Sequence, residues 1–342
     1  MSVWRAGKAA WAGLLLTSML VSSASAAETN LKFSLDRKFE GPSALFLLPL
    51  DKGYYKAEGL NVSIDPGDAE LEPIKRVASG AYDMGFVDIN ALIKFRDANP
   101  KTPIKAVFMV YNKPPFAVIG RRSRGVSTPK DLQGKKLGVT KESNVFAQWP
   151  IFAKVNAIDA SKVTIENVGS PVRDPLLAAG QVDAIVGLSF SSFIDLKDKG
   201  VPVDDVIVML MDDYGVNLYG NAIIASPKFI AEHPEAVKAF LRAFLKGLKQ
   251  TVNSPDSAIG VVLERTDTAK RNLELERLKM AIRENIVTPE VKANGYGGID
   301  DARFTSAIDQ IAIAFKFNSA MPKPKDIFDA SFLPPAADRR VK

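Results

Sequence analysis

Short apolar runs alternate with helical stretches along most of the chain. Residues 31–35 alternate with period two and predict a strand, residues 43–57 predict a helix, and residues 60–64 predict a second strand. Further strands are predicted at residues 83–87, 104–111, 116–121, 136–139, 163–168, 183–188 and 206–211. Helices are predicted between them at residues 73–78, 91–98, 144–156 and 171–179. Strands separated by helices of this length predict parallel sheets covered on both faces.

The pattern restarts after residue 122, where Thr128 and Pro129 predict a capped helical turn. Residues 122–221 therefore form a second α/β unit in this interpretation. The chain beyond residue 226 is mainly helical, and its apolar positions between residues 237 and 248 fall on one helical face. We interpret that face as core packing.

The first 27 residues have the pattern of a secretory signal peptide. Arg5 and Lys8 precede an apolar run from residue 9 to residue 21, and Ala24 and Ala26 give the small-residue end typical of a cleavage site. The sequence therefore predicts a signal peptide at residues 1–27 and a mature protein in a bacterial periplasm.

Composition excludes several kinds of chemistry. The 342 residues include no cysteine and one histidine, His233, so thiol catalysis, disulfides and zinc–thiolate sites are excluded. The formal net charge is +6, but the basic residues occur only in short pairs, which argues against nucleic-acid binding. No glycine-rich phosphate-binding motif follows a predicted strand. We therefore expect no enzyme, no cofactor and no metal site.

Four segments carry a family resemblance. They are LD at residues 35–36 with DKGYYKAEGLNV at 51–62, SGAYDMG at 79–85, TPKDLQGKKLGV at 128–139, and AGQVDA at 179–184. In this order they resemble periplasmic substrate-binding proteins of ABC transporters, in the group that includes thiamine-pyrimidine-precursor, sulfonate, taurine and nitrate binders. The resemblance implies an α/β periplasmic binding protein of type II, with two lobes joined by two crossover strands and the ligand clamped between them.

The lobes implied by this resemblance are residues 28–121 with 222–342, and residues 122–221. We expect the crossings near residues 116–121 and 218–222. The resemblance also implies a permease as partner, and we expect a monomer. A sensor role, with the ligand delivered to a membrane receptor, fits the same fold.

Loops that follow predicted strands supply the candidate ligand-binding residues, because ligands of parallel α/β lobes bind at the carboxyl ends of strands. In the first lobe these are Asp36, Arg37, Ser43 and Asn90. Those of the second lobe combine hydroxyl, amide, charged and aromatic side chains: Glu142, Ser143, Asn144, Phe146, Ser170, Arg173 and Phe190. Phe146 equally fits a core position, and Arg173 equally fits an ion pair with Asp174.

The ligand class stays open between two chemistries. Asp36, Glu40 and Glu142 offer acceptors for the amino groups of a nitrogen heterocycle related to the thiamine pyrimidine, which we place first. Arg37 and Arg173 suit an aliphatic sulfonate or another organic anion, which we place second. Pyrimidine synthases resemble this family as well, but they rely on a cysteine-rich motif that this chain lacks.

Overall fold

The computed structural model describes residues 1–2, 28–68 and 70–341. The predicted signal peptide lies almost wholly outside the described residues. The described chain forms two five-stranded sheets.

The first sheet has the strand order β2-β1-β3-β10-β4. Its strands are β1 (Thr29–Ser34), β2 (Leu60–Asp65), β3 (Met84–Asp88), β4 (Lys105–Met109) and β10 (Asn221–Ala225). β1 is parallel to β2 and β3, whereas β10 is antiparallel to both β3 and β4.

The second sheet has the strand order β7-β6-β8-β5-β9. Its strands are β5 (Phe116–Arg121), β6 (Lys136–Val139), β7 (Thr164–Asn167), β8 (Ala184–Leu188) and β9 (Val206–Leu210). β6 is parallel to β7 and β8, whereas β5 is antiparallel to β8 and β9.

Each sheet therefore contains one antiparallel strand, so the sheets are mixed and the predicted parallel arrangement holds for the other four strands of each. β5 and β10 are the strands by which the chain enters one sheet after leaving the other, and each runs against its neighbours. The change of sheet comes within residues 110–115, before β5. The predicted first lobe, which extends to residue 121, therefore includes a strand that is bonded to β8 and β9 of the second sheet.

Helices cover the sheets. Up to residue 198 they are α1 (Ala44–Asp51), α2 (Tyr54–Ala57), α3 (Glu72–Ala78), α4 (Ile89–Ala98), α5 (Trp149–Val155), α6 (Ser170–Ala178) and α7 (Ser189–Asp198). The later ones are α8 (Pro227–Glu232), α9 (Pro234–Asn253), α10 (Pro255–Ala258), α11 (Gly260–Leu263), α12 (Arg271–Ala281), α13 (Pro289–Asn294), α14 (Asp301–Ala314), α15 (Pro324–Ile327) and α16 (Ala336–Arg339). One π-helical turn, Ile282–Ile286, continues α12.

Two predicted helices differ from the structure. The helix predicted at residues 43–57 is broken at Gly53, whose φ of 68° lies in the left-handed region. The helix predicted at residues 144–156 begins only at Trp149, because Pro150 stands in its first turn and the preceding residues form tight turns.

The apolar face predicted between residues 237 and 248 is confirmed as core. Phe240 and Phe244 of α9 are fully buried and stack on Phe33 of β1 and Phe46 of α1, with ring centroids about 5 Å apart. No helix in the described part of the chain is long and apolar enough to cross a membrane.

Residues 110–115 and 211–220 connect the two sheets and lie against each other. A Cβ on Gly220 would lie 2.8 Å from the Tyr111 Cβ, so the close approach requires glycine there. Arg303 of α14 holds both segments, since its Nη2 donates to the Asn112 carbonyl at 3.0 Å and to the Leu218 carbonyl at 2.8 Å. Arg303 thus fixes the two connecting segments to each other.

Candidate functional site

Polar side chains gather where strands of the first sheet end. Asp36 follows β1, Asp88 ends β3, and Asn221 begins β10 directly opposite Asp88 in the antiparallel register. The Asn221 Nδ2 donates to Asp36 Oδ2 at 2.8 Å. Both Asp36 and Asn221 are buried, so the carboxylate of Asp36 has a fixed orientation.

The second sheet presents apolar and aromatic groups to the same place. Phe116 begins β5 opposite Leu188, the last residue of β8, and Phe190 lies in the first turn of α7. Phe190 makes an edge-to-face contact with Tyr111, with ring centroids 6.2 Å apart. The aromatic groups therefore form a wall that faces the carboxylates of the first sheet.

Two inner cavities lie between the sheets. The first has a volume of about 20 Å³ in this closed arrangement and is lined by Asp36, Arg37, Glu70, Asp88, Tyr111, Pro115, Phe116, Asn144, Val145, Leu188, Phe190 and Asn221. The second, also of about 20 Å³, adds Glu40, Ser43, Phe46 and Phe86 to residues of the first. Residues of both sheets thus surround the inner cavities.

An outer groove of about 450 Å³ opens from the same region. It shares Arg37, Glu40 and Glu70 with the inner cavities and reaches Ser170 and Arg173 of α6. The inner cavities thus adjoin a polar groove that opens to the surface.

Carboxyl groups outnumber cations in the inner cavities. Asp36, Glu40, Glu70 and Asp88 line them, and Arg37 is the one basic residue of their lining. Burial raises the pKa of Asp36, while the Arg37 charge and the hydrogen bond from Asn221 oppose that rise. Burial also raises the pKa of Asp88 to about 7, against the hydrogen bonds that its carboxylate accepts from Asn90.

Arg37 keeps its positive charge in this setting. Burial acts to lower the pKa of its guanidinium, but the carboxylates of Asp36, Glu40 and Glu70 outweigh burial and raise it above its ordinary value.

Hydrogen bonds and ion pairs cross between the two sheets around these cavities. The Asn144 N–H donates to Glu70 Oε2 at 2.9 Å, and the Ser191 hydroxyl donates to Glu40 Oε2 at 3.3 Å. Arg277 of α12 reaches Asp195 of α7 at 3.0 Å. Both sides of the cleft are therefore bonded together in this closed arrangement.

The structure brings seven of the predicted site residues to the cleft. Asp36, Arg37, Ser43, Asn144 and Phe190 line the inner cavities. The other two, Ser170 and Arg173, line the outer groove. Arg173 also forms the ion pair with Asp174 that was weighed as its alternative role, at 2.8 Å.

Four predicted residues lie outside the lining of these three cavities. Asn90 is fully buried, and its Nδ2 donates to Asp88 and to the Tyr219 carbonyl. Ser143 accepts a hydrogen bond from the Phe146 N–H, and Phe146 packs against the core. Glu142 is exposed. Asn90, Ser143 and Phe146 therefore support the loops that carry the lining residues.

Four polar residues that line the first inner cavity are not among the predicted site residues: Glu70, Asp88, Tyr111 and Asn221. Glu70 lies in a loop whose sequence has no periodic hydrophobic pattern. Asn221 begins β10, and the sequence predicted that segment only as a crossing between the lobes. Tyr111 ends the apolar run predicted as a strand at residues 104–111. Its position at a strand end, like that of Asp36, was the signal that could have identified it. Among residues 1–2, 28–68 and 70–341, no group of three or more His, Cys, Asp or Glu residues is placed to hold a metal ion.

Comparison with known proteins identifies the family. The model of the family described as NMT1/THI5 like matches residues 43–258, which is more than half of the chain. This protein belongs to the NMT1/THI5-like family. The expected resemblance to periplasmic substrate-binding proteins is thereby confirmed.

Relatives of this NMT1/THI5-like protein by sequence include two binding proteins. The riboflavin-binding protein RibY of Chloroflexus aurantiacus is 25% identical, with 83% of this chain and 80% of RibY covered. The formylaminopyrimidine-binding protein of Halalkalibacterium halodurans is 28% identical, with 79% of this chain and 82% of that protein covered. Enzymes are also similar: the 4-amino-5-hydroxymethyl-2-methylpyrimidine phosphate synthase of Schizosaccharomyces pombe is 26% identical, with 60% of each chain covered.

Solved structures confirm the fold. The periplasmic aliphatic sulphonate binding protein SsuA of Escherichia coli superposes with a TM-score of 0.67 at 12% identity, covering 84% of this chain and 87% of SsuA. At that identity the likeness concerns the fold alone. The NMT1/THI5-like protein thus has the two-sheet α/β fold of periplasmic binding proteins, as the resemblance implied.

Proposed function

We propose that this protein is an exported solute-binding protein that captures a small organic molecule between its lobes and delivers it to an ABC importer. The lobes follow the predicted division into residues 28–121 with 222–342 and residues 122–221, with one change. β5 (residues 116–121) belongs to the second lobe in this proposal. The cavities between the sheets, lined from both sides, support this role. In the open state the ligand would bind one lobe, and closure would complete its contacts with the other.

The ligand we propose is a nitrogen heterocycle related to the thiamine pyrimidine. The observation that carries this assignment is the lining of the inner cavities, where four carboxyl groups and one arginine face aromatic rings. Amino and ring N–H groups of a heterocycle are donors that these carboxylates accept, and Phe190 and Tyr111 offer surfaces for its ring. The relative named for formylaminopyrimidine binding supports the same class.

An aliphatic sulfonate is the second candidate, because Arg37 lies inside the inner cavities and suits an oxyanion. Arg173, the other arginine proposed for that role, already pairs with Asp174 and donates to Ser192. A sulfonate would therefore be desolvated among several carboxylates with one free partner, which is unfavourable.

The remaining assignments follow from the same proposal. The leader at residues 1–27 would direct the protein to the periplasm, where it would act as a monomer with a permease as partner. Delivery to a membrane sensor would use the same closed form. Catalysis of the synthase type is disfavoured, because that resemblance implies a cysteine-rich motif and the chain has no cysteine.

Isothermal titration calorimetry on the refolded, ligand-free protein tests the ligand class. The panel comprises 4-amino-5-hydroxymethyl-2-methylpyrimidine, formylaminopyrimidine, riboflavin, taurine and an alkanesulfonate. We expect the pyrimidines to bind at least tenfold more tightly than the sulfonates. Tight binding of a sulfonate with no heat from any pyrimidine would reverse the assignment.

A further inference from the structure

Arg37 occupies the junction of three cavities. Among the described residues that line them, it is the one shared by the first inner cavity, the second inner cavity and the outer groove. Arg37 therefore lies where these three spaces meet. Removing this side chain from the junction would join the inner cavities to each other and to the entrance.

Arg37 is held by the charge of the surrounding carboxylates more than by close contacts. Its side chain is 27% exposed, and its one ion pair among the described residues joins Nε to Asp36 Oδ2 at 3.7 Å. Arg303 differs sharply, since its guanidinium donates to Asn112, Glu290, Asn217 and Leu218 at 2.8 to 3.1 Å. The two arginines therefore differ in the cost of moving them.

The surroundings of Arg37 are built for a planar positive group. Asp36, Glu40 and Glu70 all act on its charge, and Tyr111 contributes to the same cavity wall. Asp36 is itself fixed by Asn221, at 2.8 Å, so its position does not depend on Arg37. A cationic group that replaced the guanidinium would find the carboxylates already oriented.

We propose that Arg37 is a displaceable gate that occupies the ligand site in the empty protein, and that the ligand is an aromatic heterocycle whose amidine-like edge takes the place of the guanidinium. This inference rests on the proposed function and specifies the charge of the ligand. On binding, Arg37 swings into the outer groove, whose lining includes Asp195 and Asp198, the ion-pair partners of Arg277 and Lys270. The ligand edge then donates to Asp36 and carries the positive charge that the carboxylates require.

The gate makes opposite predictions for the two ligand classes. A cationic heterocycle competes with Arg37, so removing the guanidinium tightens its binding. A sulfonate requires Arg37, so the same change abolishes its binding.

The test uses benzamidine, a planar aromatic amidinium, as a probe that does not depend on knowing the natural ligand. Calorimetric titrations compare the full mature protein with Arg37→Ala and Arg37→Gln. Lys32→Gln is the control, because it removes one positive charge from an exposed position of β1. We expect both Arg37 variants to bind benzamidine at least tenfold more tightly than the wild type and Lys32→Gln.

Equal or weaker benzamidine binding by a folded Arg37 variant overturns the gate. Arg37→Gln retains a polar side chain and decides the question if the alanine variant unfolds. The pyrimidine panel separates this result from the proposed function. If the wild type binds a pyrimidine but the Arg37 variants gain nothing for benzamidine, the gate fails and the function stands. If the variants capture benzamidine while the wild type binds no pyrimidine, the gate stands and the ligand assignment fails.

Discussion

The carboxylate of Glu70 accepts a hydrogen bond from the backbone N–H of Asn144 at 2.9 Å, across the space between the two sheets. The loop after β6 was predicted to contribute Ser143 and Asn144 to the ligand site. In the structure the Asn144 N–H is already taken by Glu70, and the Ser143 N–H is bonded to the Thr140 carbonyl at 3.0 Å. These two N–H groups are therefore not available to an anionic ligand. The Glu70 carboxylate adds a further acceptor to the cleft.

Replacement of Asp36 by asparagine should weaken ligand binding. The variant keeps the shape of the side chain but removes the charge that faces the cavity. We expect the affinity for an aminopyrimidine to fall about thirtyfold, equivalent to about 2 kcal/mol, as for hydrogen bonds to charged groups. Calorimetry on Asp36→Asn measures this loss. Asp51→Asn, which affects a surface ion pair with Arg265, is the matched control; equal losses in both variants would disprove the role of Asp36.

Phe190→Leu should reduce the affinity for an aromatic ligand and spare an aliphatic one. Phe190 lines both inner cavities and contacts the Tyr111 ring. Loss of an aromatic contact costs about 1 kcal/mol, so we expect a roughly fivefold weaker pyrimidine affinity. Phe315→Leu removes a ring that contacts Phe317 and Lys94 and lines none of the three cavities, and it serves as control. Unchanged pyrimidine affinity in a folded Phe190→Leu protein would remove this ring from the site.

The strands could be predicted from sequence better than the site. Apolar runs gave nine of the ten strands within two residues at each end, because burial on both faces leaves a local signature. β10 lacked a separate signal, since its apolar residues continue from the crossing that precedes it. The direction of β5 and β10 depends on how the chain passes between sheets, and no local pattern encodes that passage.

The site was only partly predictable for a similar reason. Asp36 and Phe190 follow strands directly, and the rule that ligands bind at strand ends was sufficient to find them. Glu70 and Asn221 reach the cleft through tertiary contacts with Asn144 and Asp36, which sequence spacing does not show. Asn90 follows a strand too, but its amide is used to hold Asp88 and the Tyr219 carbonyl.

Arg277→Met should destabilise the closed arrangement. The Arg277 side chain is 6% exposed and pairs with Glu274 on its own helix and with Asp195 on α7. Its removal leaves the buried carboxylate of Glu274 without this partner, which costs about 3 kcal/mol. Urea unfolding measures the loss, and small-angle scattering should show a larger radius of gyration in the absence of ligand.

The control for this change is Arg242→Met, which breaks the exposed Arg242–Glu58 pair. Such surface pairs contribute about 1 kcal/mol or less. Equal stability of the two variants, with identical scattering profiles, would show that Arg277 does not hold the lobes together.

Asp88 should make stability depend on pH. Burial raises the pKa of this carboxyl to about 7, well above its ordinary value, against opposing interactions with Asn90 and Lys94. The folded protein therefore binds this proton more tightly than the unfolded chain, and the contribution of Asp88 is present below about pH 4 and is lost as the pH rises to about 7. Its slope is at most about 1.4 kcal/mol per pH unit.

Urea unfolding between pH 4.5 and pH 8 measures this effect in the wild type and in Asp88→Asn. The variant has a lower stability because asparagine cannot accept both N–H groups of the α4 start, but its curve should be flatter with pH. Parallel curves for the two proteins would contradict the assignment to Asp88.

A crystal structure of the protein with a bound aminopyrimidine tests the central claim most directly. The account predicts the ring between the two sheets, against Phe190 and Tyr111, with its amino edge within 3.2 Å of an Asp36 carboxylate oxygen, a normal hydrogen-bond distance. It also predicts the Arg37 side chain in the outer groove. A ligand located outside the inner cavities, or one whose only charged partner there is Arg37, would contradict it.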